Sequence, residues 1–327
     1  MIKIYRASEL AREEILKRNN LPDLKKAEAA ASEIIADVRS RGDDALRFYN
    51  RKFDGCETAE LRVSEEEVEA AYREVGEYFL QTLAEAAANI REFHERQRRE
   101  GFSYTRPDGT RLGQRIMPLA RVGVYVPGGT AAYPSTVLMD VIPAVVAGVG
   151  EIAMVTPPGK DGKIKAEILA AAKIAGVGEI YRVGGAQAIA ALAYGTGSIR
   201  RVDKIVGPGN AFVAAAKKAV SGEVGIDMFA GPSEILIIAD GTANPDHLAA
   251  DMLSQAEHDK MASAVLVTTS ATVAERTAEL IEKRLADLPR QETARASIEN
   301  NGKIIVASSL VEAAEISDEL APEHLEI

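Results

Sequence analysis

Four histidines (His94, His247, His258 and His324) and one cysteine (Cys56) are the side chains of this sequence best suited to bond-making chemistry. His94 lies among Glu92, Glu95 and Arg96 and reads as a surface residue on a charged helix. His247, Asp251, Gln255 and His258 form one stripe of a helix whose apolar face is Leu248, Met252, Leu253 and Ala256. Gln255 and His258 are three residues apart and share a helix face, so an amide oxygen and a neutral imidazole there can reach one metal ion. Gln-x-x-His is by itself a weak metal motif, because Gln is an uncommon ligand and chance supplies such pairs. Glu323-His324 follows Pro322 and opens the alternation His324-Leu325-Glu326-Ile327, which reads as a strand beginning. An adjacent carboxylate and imidazole at a strand edge supply two proton-transfer groups, and imidazole as a class titrates near neutral pH. Alone, that dipeptide is also a weak signal. Cys56 sits in the acidic turn Asp54-Gly55-Cys56-Glu57, where negative charge disfavours a thiolate. It reads as structural or incidental, which argues against a mechanism with a cysteine nucleophile.

The elements that must position these groups change character along the chain. Residues up to about 120 read as helical. One amphipathic helix begins at Ser8 and stops at Asn19-Asn20-Leu21-Pro22, and another runs from about Asp23 to Arg41-Gly42. A short third spans Asp43 to Phe53, and Ser64 with Glu67 forms a capping box ahead of further helix, with a break near Gly76. From about Arg121 short apolar runs alternate with helical stretches. The runs Val122–Val126, Glu151–Thr156, Glu179–Val183 and Asp203–Val206 each end in a turn rich in Gly or Pro. A second series follows Gly231-Pro232-Ser233-Glu234, with strands at 234–239, 263–268 and 303–306, and Asn244-Pro245 opening a helix. Such alternation predicts parallel sheets with helices on both faces, and ligands of such sheets gather at the carboxyl ends of the strands. No GxGxxG fingerprint follows any strand, so a bound dinucleotide would be held in another way.

Composition narrows the function classes. At 327 residues and 46% hydrophobic, the chain suits about two domains with sizeable cores. A net charge of −10 gives no bulk attraction for nucleic acid. A single cysteine excludes an internal disulfide framework. The N-terminus lacks a signal-peptide core, and no apolar run is long enough to span a membrane. A cytoplasmic enzyme is the expectation.

Six segments, in order, resemble the histidinol dehydrogenase family. They are Arg121-Val122-Gly123-Val124-Tyr125-Val126-Pro127-Gly128-Gly129, the stretch Val183 to Ala193, Val206-Gly207-Pro208-Gly209-Asn210-Ala211-Phe212-Val213, Asp227 to Glu234, Ser254 to Asp259, and Ala321-Pro322-Glu323-His324-Leu325. The resemblance implies an NAD- and zinc-dependent oxidation of L-histidinol through the aldehyde to L-histidine. By the same resemblance Gln255 and His258 are zinc ligands, and Ser233, with these two and His324, contacts substrate. Tyr125, Gln187 and Asn210 contact NAD, His324 is the general base, and Glu323 activates water. It also implies a homodimer, and places further zinc ligands and substrate contacts in a C-terminal tail beyond residue 327. On that basis the chain is expected to be truncated and impaired in turnover.

The expected fold class is α/β, with two Rossmann-like domains of parallel sheets flanked by helices and an N-terminal helix. The expected boundaries are an N-terminal helical arm (1–21), a discontinuous first domain (22–120 with 234–327) carrying the zinc and catalytic residues, and an inserted NAD-binding domain (121–233). The helical arm is expected to pack on the tail or on a partner subunit, and the sheet to leave an exposed edge. Two other readings stand beside this one: a non-catalytic core that folds and binds NAD, and a related dehydrogenase for another amino alcohol or a sulfonate-like substrate.

Overall fold

The structure is a computed structural model that describes residues 2–9, 15, 21–128, 132–228 and 233–327, leaving aside the side chains of residues 21–24. In chain order its elements begin with β1 (Lys3–Arg6), α1 (Leu21–Arg41), α2 (Asp43–Tyr49), α3 (Glu65–Glu74), α4 (Glu77–Glu95), β2 (Phe102–Thr105) and β3 (Arg111–Gln114). There follow β4 (Arg121–Tyr125), α5 (Pro134–Val146), β5 (Glu151–Thr156), α6 (Ala166–Ala175), β6 (Glu179–Arg182), α7 (Gly185–Tyr194), β7 (Lys204–Val206), α8 (Ala211–Val220) and β8 (Gly225–Ile226). The last are β9 (Glu234–Ala239), α9 (Pro245–Ala256), β10 (Ser263–Thr268), α10 (Ala271–Leu285), α11 (Gln291–Asn301), β11 (Lys303–Val306), α12 (Leu310–Leu320) and β12 (His324–Glu326). The chain divides into two compact units, Leu24–Ala230 and Met1–Asp23 with Gly231–Ile327.

The Leu24–Ala230 unit holds a five-stranded parallel sheet in the order β6-β5-β4-β7-β8. The β4, β5 and β6 residues are almost all buried, as parallel strands covered on both faces require. One face packs on α1, α2, α7 and α8 through Ala31, Ile34, Val38, Leu46, Ile189 and Val213. The other packs on α3 to α6 through Ala71, Leu83, Val137, Leu138 and Ile168. The predicted capping box is present: Glu67 N–H donates to Ser64 Oγ (3.2 Å), and Ser64 N–H donates to the Glu67 carboxylate (3.1 Å). The strand order reverses between β4 and β7, so the carboxyl ends of these two strands flank a topological switch point.

The second unit also holds a five-stranded parallel sheet, in the order β1-β11-β10-β9-β12. Ile235 and Ile237 of β9 pack with Leu248, Ala249 and Met252 of α9 on one face. Leu236 packs with Ala313 and Ile316 of α12 on the other. The residues of the edge strand β12 are exposed along its length.

Three expectations are corrected. Residues 22–120 do not group with the C-terminal series: α1 to α4 supply much of the cover for both faces of the β4–β8 sheet, which α5 to α8 alone leave partly bare. The N-terminal segment is not wholly helical, since Lys3–Arg6 is a strand paired with β11; most of the helix expected from Ser8 lies outside the described residues. Residues 102–114 form the antiparallel hairpin β2–β3 rather than helix, turning at Pro107-Asp108-Gly109. Its strands are four residues long and exposed on both faces, so burial imposes no alternation by which to recognise them.

Candidate active site

The three residues proposed for the dinucleotide lie around one cleft of about 1360 Å³ at the switch point of the β4–β8 sheet. Tyr125 is the last residue of β4, Gln187 lies in the first turn of α7, and Asn210 caps α8. The buried Tyr125 hydroxyl accepts the Gly185 N–H (3.1 Å) at the start of α7. Burial pushes its pKa up to about 12, so it stays a neutral phenol. Gln187 is buried, and its Oε1 has no hydrogen-bond partner among the described residues. A buried, unpaired amide oxygen is costly to leave unmet, and it belongs to a residue of the cleft lining. Asn210 Oδ1 accepts from Phe212 N–H and Val213 N–H, both at 3.1 Å, so this side chain shapes the turn as the cap of α8. The backbone packs closely here: a Cβ on Gly184 would strike the Pro157 ring.

Asp54 also lines this cleft, and no sequence signal marks it beyond an acidic turn. Burial raises its carboxyl to about 6, and Oδ2 has no partner among the described residues. Beside it, burial first and then the Asp54 charge push the Cys56 thiol up, in keeping with an inert cysteine. Lys217 and Asp227 form an ion pair below the Gly207–Asn210 turn. Lys217 was legible in principle, because it stands four residues after Val213 on the buried stripe of α8.

Asp140 on α5 lies within electrostatic reach of this pair, and its carboxyl is raised to about 7, chiefly by burial and then by the Asp227 charge, against the pull of Lys217. The unfolded chain holds this carboxyl at its ordinary value of 3.8. Between those limits the folded state binds the extra proton, so stability falls as pH rises from about 4 to about 7. Asp140→Asn, which mimics the protonated form, is expected to raise the melting temperature at pH 8 more than at pH 5.5. An equal shift at both pH values would contradict this.

The remaining site residues lie in the second unit, at the amino ends of its strands. Ser233 precedes β9, and its carbonyl accepts the N–H of Ser263, the first residue of β10. The Glu323 carboxylate accepts the Glu234 N–H (3.4 Å), and its other oxygen lies 4.0 Å from His324 Nε2. His324 is in register with Ile235 in a parallel pair. Paired residues project to the same side, and Ile235 faces α9, so His324 does too. The Glu326 carboxyl, two residues on, feels both Asp251 of α9 and His324.

Gln255 lies near the end of that helix, 7% exposed, and the exposed His258 follows just past it. The structure therefore places Glu323, His324, Gln255 and His258 at one end of one sheet. This is the opposite strand end from the one expected to gather ligands. An imidazole and an amide oxygen suit a borderline cation such as zinc and would fill two positions of it. Among the described residues no cluster of three or more His, Cys, Asp or Glu completes a metal site.

The sequence profile of the histidinol dehydrogenases matches residues 17–327. Histidinol dehydrogenase from Geobacillus kaustophilus (strain HTA426) is 57% identical over 298 residues, covering 91% of this chain and 70% of that protein. The Bacillus subtilis (strain 168) enzyme of the same name is 56% identical, covering 90% of this chain and 69% of its own. The crystal structure of histidinol dehydrogenase from Elizabethkingia anophelis superposes with a TM-score of 0.89 at 37% identity, over 99% of this chain and 75% of that one.

Proposed function

The chain belongs to the histidinol dehydrogenase family, and from that premise we propose that its residues oxidise L-histidinol through the aldehyde to L-histidine with two equivalents of NAD and a zinc ion. The observation that carries the site assignment is the register of β12 on β9, which turns His324 toward the helix bearing Gln255 and His258. When bound, zinc held by Gln255 and His258 would fix the imidazole and amine of the substrate, and NAD in the Tyr125–Gln187–Asn210 cleft would accept hydride from the alcohol carbon.

His324 removes the hydroxyl proton as the first hydride leaves. Glu323, steadied through one oxygen by the β9 backbone, then takes a proton from the water that adds to the aldehyde. His324 takes a hydroxyl proton from the hydrate as the second hydride leaves, and the product departs as the carboxylate. Ser233, at the amino end of β9, contributes a hydroxyl to substrate binding. No thiol is needed, in agreement with the buried, raised Cys56.

The partnerless Gln187 Oε1 and the switch-point cleft support NAD as the cleft's occupant. For zinc, two donors fall short of the three protein ligands usual in catalytic sites. Gln255 and His258 by themselves are therefore expected to hold zinc weakly, and on the family resemblance a homodimeric assembly would complete the set. The protein acts in the cytoplasm on this reading; no helix of the described residues is long and apolar enough to cross a membrane.

The test of the cleft is titration of the chain with NADH, followed by nucleotide fluorescence. Gln187→Ala is expected to weaken binding at least tenfold with little loss of melting temperature. Unchanged affinity would remove Gln187 from the site. A panel of amino alcohols separates L-histidinol from a related substrate.

A further inference from the structure

Lys217 is charged where the helix pattern calls for an apolar residue. Val213, Ala216 and Val220 form the buried face of α8, and Lys217 joins them at 2% exposure. A buried ammonium is tolerated only when paired and hydrogen-bonded. Its Nζ donates to the Gly207 carbonyl (3.0 Å) and pairs with Asp227. Asp227 in turn accepts the Gly207 N–H at Oδ2 (2.9 Å) and the Met228 N–H at Oδ1 (2.6 Å). One ion pair thus grips both backbone polar groups of Gly207, whose φ of 111° belongs to glycine alone. The chain runs from there through Pro208 and Gly209 to Asn210, on the lining of the cleft. Asp227 stands six residues before Ser233 in the sequence. Asp140 approaches the pair from α5 with an oxygen that has no partner among the described residues.

Stability alone explains this arrangement poorly, because well-packed apolar replacements for a buried ion pair are often neutral or stabilising. What the pair does that apolar side chains cannot is hold the N–H and the carbonyl of one residue at once. We propose that Lys217 and Asp227 are positioning residues for the dinucleotide, fixing the Gly207–Asn210 turn at the carboxyl end of β7 in the form that receives it. This rests on the reading that the cleft binds NAD.

The experiment compares the 327-residue chain with Lys217→Met, the near-isosteric Asp227→Asn, and Leu192→Ala. Leu192 is fully buried in the same unit and lies off the cleft lining, so its truncation serves as a stability control. Amide hydrogen exchange at residues 207–213 reads the turn without ligand, and NADH fluorescence reads binding. Lys217→Met and Asp227→Asn are expected to speed exchange at Gly207, Phe212 and Val213 at least tenfold and to weaken NADH binding at least tenfold. Leu192→Ala, with a comparable fall in melting temperature, is expected to change both less than twofold.

Turn protection and NADH affinity that survive in both pair variants, or that fall equally in Leu192→Ala, would overturn the positioning role. Absence of NADH binding in the unaltered chain, with the exchange pattern as expected, would sink the dinucleotide reading and with it the purpose assigned to the pair.

Discussion

Replacing His324 by alanine is expected to lower histidinol-dependent NADH formation by about 100- to 10,000-fold, the range set by loss of a general base. The assay uses a polypeptide in which residues 1–327 are joined to the C-terminal segment of a family member. His324 is 58% exposed on an edge strand and contributes little to the core, so the melting temperature should move by no more than a degree or two. Glu323→Gln should behave differently. The amide keeps an oxygen for the Glu234 N–H but cannot take a proton from water. First-stage oxidation then survives while hydration of the aldehyde slows, so the reaction yields one NADH per substrate quickly and the second slowly. His324→Ala slows both. If the two variants lost both stages equally, the division of labour between Glu323 and His324 would be wrong.

The largest effect on stability is expected at Gly207. Its φ of 111° is strained for any L side chain, and an added Cβ would overlap the Tyr125 carbonyl oxygen and lie 3.0 and 3.1 Å from that residue's carbonyl carbon and nitrogen. These obstacles are backbone atoms of the neighbouring β4, so no side-chain rotation relieves them. Backbone strain and overlap together set the cost of Gly207→Ala at about 3 kcal/mol or more, near the upper end for single substitutions. Denaturant unfolding of the chain measures it. Gly178→Ala is the contrast: nothing lies within 4 Å of its added Cβ and its φ is not positive, so it should be neutral or stabilise by about 0.4–1 kcal/mol. Equal losses at the two sites would mean that the crowding at Gly207 is relieved by movement of β4.

The α/β class, the two parallel sheets and most strand positions were legible because buried parallel strands are short apolar runs that end in Gly-rich turns. The capping box at Ser64 and the Asn244 cap, whose Oδ1 accepts the Asp246 N–H, were legible because caps are local chemistry. What failed was what long-range packing decides. Nothing local tells α1 to α4 which sheet to cover, and nothing in four exposed residues marks β2, or in Lys3–Arg6 a strand whose partner lies 300 residues away. Within the site, the spacing of Gln255 and His258 marked a shared helix face, while the turn of His324 toward that helix depends on the β12–β9 register. Asp54 and Asp140 carry no periodic signal at all; their significance comes from burial without a partner.

The most direct measurement is the yield of NADH per L-histidinol consumed, with NAD and zinc supplied, for the chain joined to that C-terminal segment. Two NADH per substrate are expected, with L-histidine as the product, falling to little or none when zinc is chelated. One NADH per substrate with free aldehyde released, or full turnover without zinc, would contradict this.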